Sequence, residues 1–139
     1  MIVLDTNVIS ELFRPQPDAG VVAWVTGLTG EVAITAVTAS ELQAGVRLLP
    51  DGERRLALAQ AVDSVLADHH QRGLVLPFDS SAADHYADIF VARERSGRPV
   101  HTADAQIAAI CRATGATCAT RNVKDFTSVG IDVVDPWRA

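Results

Sequence analysis

An α/β fold, with a parallel sheet covered by helices on both faces, is what the sequence predicts, and three observations carry the prediction. The apolar runs Ile2–Leu4, Val32–Thr35, Leu74–Leu76, Ala116–Ala119 and Ile131–Val134 are short and nearly continuous, as suits strands buried on both sides rather than strands with one wet face. Between them lie longer stretches whose apolar residues recur at helical spacing. Pro15, Pro17, Gly30, Pro50, Gly73 and Gly97 punctuate those stretches, in the places where helices stop. Strands that alternate with helices pair in parallel, because each crossover must pack its helix back on the sheet.

The elements follow in order. Ile2-Val3-Leu4 is the first strand, and Asp5-Thr6-Asn7 supplies three helix-capping residue types before a short helix over Val8–Phe13. Val21, Trp24, Val25 and Leu28 then repeat at i, i+3, i+4 and i+7, the stripe of an amphipathic helix that Gly30 closes. After the Val32 strand a helix opens at Thr38 and runs through Leu42, Val46 and Leu49 to Pro50. A long helix over Asp51–Arg72 carries Leu58, Val62, Val65 and Leu66 on one face. The Leu74 strand leads to a helix capped by Asp79 or Ser80 and reaching Arg95. Pro99-Val100-His101 reads as a brief strand, Thr102 opens a helix over Ala103–Ala113, and Asn122 begins a short helical turn between the last two strands.

The chain of 139 residues shows neither a linker nor a low-complexity segment, so one domain spanning 1–139 is expected. No apolar run is long enough for a bilayer and Met1 is followed by no basic leader, which predicts a cytoplasmic protein without a membrane partner. Cys111 and Cys118 are six residues apart, neither a redox pair nor a metal-ligand spacing, and are expected as buried thiols. His69 and His70 begin no zinc pattern. The net charge of -5 opposes a nucleic-acid binder that works by counterion release. That objection weakens if part of the negative charge forms one cluster built to hold a divalent cation, because the ion inverts the local field.

Such a cluster is predicted by position. In open α/β sheets reactive groups collect outside the carboxyl ends of the strands. Asp5 follows the first strand, Glu41 lies in the first turn after the second, Asp104 in the first turn after Val100, and Asn122 and Asp125 in the first turn after the Cys118 strand. Each has an ordinary reading as well. Thr38-Ala39-Ser40-Glu41 fits a capping box, with Glu41 reaching back to the Thr38 amide. Asp104 suits a first helical turn, where the dipole favours a carboxylate, and Asn122-Val123-Lys124-Asp125 resembles a cap. Asp5 is different, because a carboxylate ending a buried central strand needs partners that a surface cap does not.

Taken jointly, the acids point to a metal. Three carboxylates within about 5 Å repel by roughly 3 kcal/mol per pair at an effective dielectric near 20, so a structural role alone would not select the arrangement. The neutralising partner is a hard, oxygen-seeking ion, magnesium or manganese. With no histidine or cysteine expected nearby, zinc and iron fit poorly. A magnesium ion would activate water for phosphodiester hydrolysis and screen charge on the phosphorus oxygens, with Glu41 orienting or deprotonating that water.

At these residues the sequence resembles a family. Ile2–Leu12, Thr38–Gly45, Thr102–Ala109 and Ala119–Phe126 together are similar to a PIN domain, specifically a VapC-like or FitB-like toxin of a type II toxin-antitoxin pair. The resemblance covers essentially the whole chain. It implies an α/β/α sandwich and a magnesium- or manganese-dependent ribonuclease that acts on RNA. It also implies a homodimer, inhibition by a cognate antitoxin, and operator DNA reached only through that antitoxin. Carried onto matching positions, Asp5, Glu41 and Asp104 become the acidic triad and the metal ligands, with Asp5 and Asp104 foremost, while Thr6 and Thr120 support them by their hydroxyls. Many relatives place a fourth acid where this chain has Asn122, and the nearest carboxylate is Asp125, so either residue is a candidate for that position.

Other features are weighed beside these. Arg121 and Lys124 flank the acids and are candidates for phosphate contacts or for plain solvated charge. Arg93, Arg95 and Arg98 suit compensation of a helix C-terminus. Leu12, Phe13, Trp24, Leu48 and Leu49 are candidates for an antitoxin groove or for core. The alternative function is a non-catalytic partner of an antitoxin in a DNA-bound repressor. A receiver domain lacks the paired acids and late lysine here, and a Rossmann enzyme lacks its glycine-rich turn.

Overall fold

The computed structural model describes residues 1–139. Five strands, β1 (Ile2–Leu4), β2 (Val32–Thr35), β3 (Val75–Leu76), β4 (Thr117–Ala119) and β5 (Val133–Val134), form one sheet in the order β3-β2-β1-β4-β5. Every pairing is parallel, with Ile2 opposite Val32 on one side of β1 and Thr117 on the other. Seven helices cover it: α1 (Thr6–Leu12), α2 (Ala19–Thr26), α3 (Ala36–Leu48), α4 (Glu53–Gln71), α5 (Ser80–Arg95), α6 (Thr102–Thr114) and α7 (Val123–Phe126).

The strands alternate between two cores, which explains their continuous hydrophobicity. Val3, Ala33 and Cys118 face a cluster completed by Ile89 of α5, Ile107 and Ala108 of α6 and Phe126 of α7. Leu4, Ile34 and Ala119 face the opposite cluster, with Val8 and Ile9 of α1, Val21 of α2, Leu42 and Val46 of α3, and Val62 and Leu66 of α4. The result is the α/β/α sandwich expected. The chain first steps from β1 to β2 and β3, then returns to the other side of β1 to lay down β4 and β5. The switch point of the sheet therefore lies between β1 and β4, and ligands of open α/β sheets bind outside the carboxyl ends at such a point.

Two expectations change. Pro99-Val100-His101 is not a strand: α5 ends with Gly97 at φ +68°, and the chain enters α6 directly at the carboxyl edge without crossing the sheet. Pro99 has no N–H to give a ladder, and Val100, which reads as strand, packs against the first core instead. Arg93 does not stand free at a helix end either. It is buried, and it donates from Nε to the Arg98 carbonyl at 2.7 Å and from Nη1 to the Thr127 carbonyl at 3.2 Å, tying the α5 turn to the segment after α7. Cys111 and Cys118 are free, buried thiols, and that of Cys118 is pushed well up, first by the hydrogen bond with Cys111 and then by burial.

Candidate active site

Asp5 sits at the switch point. As the N-cap of α1 it accepts from the Thr6 backbone N–H at Oδ1, 2.8 Å, and its Oδ2 accepts from the Thr120 hydroxyl at 2.7 Å, across to the end of β4. The residue is only 3% exposed. Burial raises its pKa above the ordinary value against the pull of Thr120 and Thr6, and the charges of Glu41 and Asp125 push it further up.

Thr120 holds this carboxylate by a committed proton. Its oxygen accepts from Asn7 Nδ2 at 3.3 Å and from the Asn122 backbone N–H at 3.0 Å, so its single O–H is directed at Asp5. Asn7 Oδ1 in turn accepts from the Arg121 N–H at 3.3 Å. Asn7, singled out by sequence only as a capping type, thus braces the β4 end against α1.

Glu41 is held by a second hydroxyl chain. β2 runs straight into α3 because Thr35 caps the helix, its Oγ1 accepting from the Thr38 N–H at 3.1 Å. The helix therefore begins earlier than the sequence suggests, Glu41 falls in its second turn, and the expected capping box does not form. Glu41 Oε1 accepts instead from the Thr6 hydroxyl at 2.7 Å. That spends the one proton of Thr6, so in the 2.9 Å contact between Thr6 and Thr38 the donor is Thr38. The buried pair Thr35 and Thr38 is not legible in the sequence, where Thr38 reads only as a cap. Its signal was a polar residue at a core-facing helical position.

Asp104 lies in the first turn of α6, partly buried. Its pKa is pushed up to about 6, by burial first and then by the charges of Asp5 and Asp125, with Glu41 adding to them and His101 opposing. His101, which reads in sequence only as the end of a brief strand, is the N-cap residue of α6, and its charge draws the Asp104 pKa down. Asn122 precedes α7 with its side chain exposed and making no cap bond, whereas the Asp125 carboxylate acts on both Asp5 and Asp104.

Asp5, Glu41, Asp104 and Asp125 thus form one electrostatic neighbourhood at the carboxyl edge. The clustering is looser than the close convergence expected, since no three of these acids form a ready-made cage around one ion. All four ion pairs of the protein lie elsewhere, on Glu11, Asp51, Asp68 and Asp135. An all-oxygen set of acids outside any ion pair, with the pKa of Asp5 and Asp104 raised, suits a hard divalent cation, which can be held through one or two carboxylates with waters completing its shell.

A cleft of about 600 Å³ opens beside Glu41 between α1, α3 and α4, lined by Phe13, Leu42, Val46, Leu49, Leu58 and Val62 with Arg14 and Arg54. Of the expected groove residues Phe13 and Leu49 line it; Leu12 and Trp24 pack into the core, and Leu48 is 85% exposed. Glu11 of α1 is buried, held below its ordinary pKa mainly by the Asp18 N–H, and bonded also to Arg14 at 3.1 Å.

A parallel sheet with acids gathered at its switch point defines the class: residues 2–131 match the PIN domain, and the chain belongs to that family. Within it the resemblance is to toxins. The chain is 39% identical over 138 residues to a VapC ribonuclease of Sinorhizobium fredii, covering 99% of this chain and 98% of the relative. It is 39% identical over 138 residues to the toxin FitB of Neisseria gonorrhoeae, covering 99% of each. Among solved structures, FitAB bound to a DNA fragment superposes with a TM-score of 0.92 at 38% identity, over 99% of this chain and 96% of that one. No helix is long and apolar enough to cross a membrane.

Proposed function

We propose that the protein is a magnesium- or manganese-dependent endoribonuclease, the toxin of a type II toxin-antitoxin pair, acting on cytoplasmic RNA as one domain over residues 1–139. The observation that carries this is the set of uncompensated acids Asp5, Glu41, Asp104 and Asp125 at the switch point. The ribonuclease and toxin names of its relatives support it.

Asp5, Asp104 and Glu41 would hold the ion. When bound, it supplies charge neutralisation at the phosphorus oxygens and lowers the pKa of attacking water. The remaining work falls to the chain. Thr6 and Thr120 fix Asp5 by donating to both of its oxygens, so its lone pairs are aimed before any ligand arrives. Glu41 is exposed, with one oxygen engaged by Thr6 and the other free to take a proton from water, the role of a general base. Asp125 completes the acidic set, and Asn122, whose amide is exposed beside it, would contact the substrate sugar or phosphate.

The cognate antitoxin would lay an apolar segment in the Phe13–Val62 cleft. Because Glu41 lines one part of that cleft, its occupant would block the site directly. Operator DNA would be reached only through the antitoxin, with the toxin as a homodimer. A labelled-RNA cleavage assay with EDTA, magnesium or manganese tests the reading, with Asp5→Asn as the inactive variant. Absence of metal-dependent cleavage across a broad RNA panel would leave the alternative, a non-catalytic partner in a repressor complex.

A further inference from the structure

Resting on that ribonuclease reading, we propose that Trp137 holds Arg121 as a clamp for an RNA phosphate beside the acidic site. The difficulty it answers is electrostatic: a polyanion must approach an acidic edge on a chain of net charge -5. A cation is needed there, and it must not collapse onto the carboxylates it stands beside.

Arg121 has the right place. It follows Thr120, whose hydroxyl binds Asp5, and its own N–H is anchored on Asn7, so its backbone is fixed one residue from the acids. Its side chain is exposed and enters no ion pair. Arg47, Arg54, Arg95, Arg98, Arg112 and Lys124 also enter no ion pair, but Arg121 is the cation that lies over an aromatic ring, and five further arginines are engaged elsewhere. Arg14, Arg55, Arg72 and Arg138 pair with carboxylates, and Arg93 is buried on backbone carbonyls.

The guanidinium instead lies over the Trp137 ring, 4.9 Å from its centre. Within about 6 Å the ring quadrupole attracts the cation without using its N–H donors. Trp137 is itself fixed. Its ring packs against the second core just beyond β5, the neighbour of β4, and its backbone N–H donates to Asp135 Oδ1 at 2.9 Å. The stack keeps the charge at the β4–β5 side of the site with its fork of donors free for phosphate, a geometry lysine cannot supply. Arg121 is then the phosphate contact and Trp137 the residue that positions it.

The test follows cleavage of a labelled single-stranded RNA in magnesium at several salt concentrations. Arg121→Ala should lower kcat/KM about tenfold and reduce the log–log salt slope by about 0.7, the share of one phosphate contact on a single strand. Trp137→Leu keeps the charge but frees it: KM should rise about threefold, with the salt slope retained, and Trp137→Phe should restore most of the loss. Arg72→Ala, at the far end of α4 and already paired with Asp68, is the control and should leave both quantities at the parental value. If the parent cleaves and Arg121→Ala keeps the parental salt slope, the clamp is refuted while the nuclease stands. A parental KM for Trp137→Leu refutes the positioning role. Should Trp137→Leu fail to fold, the exposed Arg121→Ala decides alone. A parent that neither binds nor cleaves RNA refutes the ribonuclease reading itself.

Discussion

At the scale of the residue, the site is organised by where hydroxyl protons are committed. Thr120 and Thr6 each have one O–H, and each gives it to a carboxylate, Asp5 and Glu41 respectively. Donors aimed at charged acceptors are stronger than neutral pairs and polarise the groups behind them. Asp5 nonetheless sits at raised pKa, because burial outweighs its two hydrogen bonds. Asp5→Asn therefore removes a disfavoured charge while presenting an NH₂ toward one of two donors, and these effects oppose each other. The metal-free variant should keep its stability to within about 1 kcal/mol. Its gain from magnesium should vanish, a gain worth about 2.7 kcal/mol for the parent at 100-fold excess over the dissociation constant. Urea melts in EDTA and in magnesium measure both. A loss above about 3 kcal/mol in EDTA would mark Asp5 as a structural acceptor instead.

At the scale of the element, α3 shows how a cap becomes part of a site. Thr35 ends β2 and starts α3 at once, which turns Thr38 inward to meet Thr6 of α1. Thr38→Val is nearly isosteric and removes that link together with the 3.4 Å acceptor of the Thr35 hydroxyl. It should cost about 1 kcal/mol and lower cleavage several-fold by loosening Thr6 under Glu41, whereas Thr38→Ser should retain both; melting curves and cleavage rates report the two effects, and parental activity in Thr38→Val would dismiss the hydroxyl chain. The same element marks the limit of what sequence discloses. The helix of Leu42 and Val46 is legible from its spacing, and the acidic character of position 41 with it. The partner of Glu41 lies 35 positions away on α1, and no local pattern encodes that distance. Short apolar runs place the strands for a similar reason, since burial on both faces leaves them no polar alternation. Pro99-Val100-His101 imitates such a run, yet only the path of the chain from α5 to α6 decides that it stays outside the sheet. Arg93 differs because a buried guanidinium satisfied by one nearby carbonyl and one distant one looks, in sequence, like any basic helix end.

At the scale of the whole molecule, the topology gathers charge that the fold does not neutralise, and stability should record this as pH dependence. The Asp104 pKa rises from an ordinary 3.8 to about 6 in the folded protein, and that of Asp5 rises as well. Between those values the native state binds more protons than the unfolded chain, so stability falls as pH increases. The contribution is complete below 3.8 and lost as pH rises through about 6. Glu11 works in the other direction: its pKa is lowered from the ordinary 4.5, and its contribution is present above that value and lost on further acidification. The metal-free protein should accordingly be more stable near pH 5 than near pH 7.5, and Asp104→Asn should flatten that rise, so the difference between parent and variant isolates this carboxyl. Magnesium should reverse the trend, because it competes with the proton for the same oxygens, so its stabilisation is largest at pH 7.5 and shrinks toward pH 5. Urea midpoints for parent and variant across this range, in EDTA and in magnesium, read all four curves. If parent and Asp104→Asn respond identically to acid in EDTA, the carboxyl is not crowded by its neighbours, and the electrostatic basis for a cation at this edge is lost.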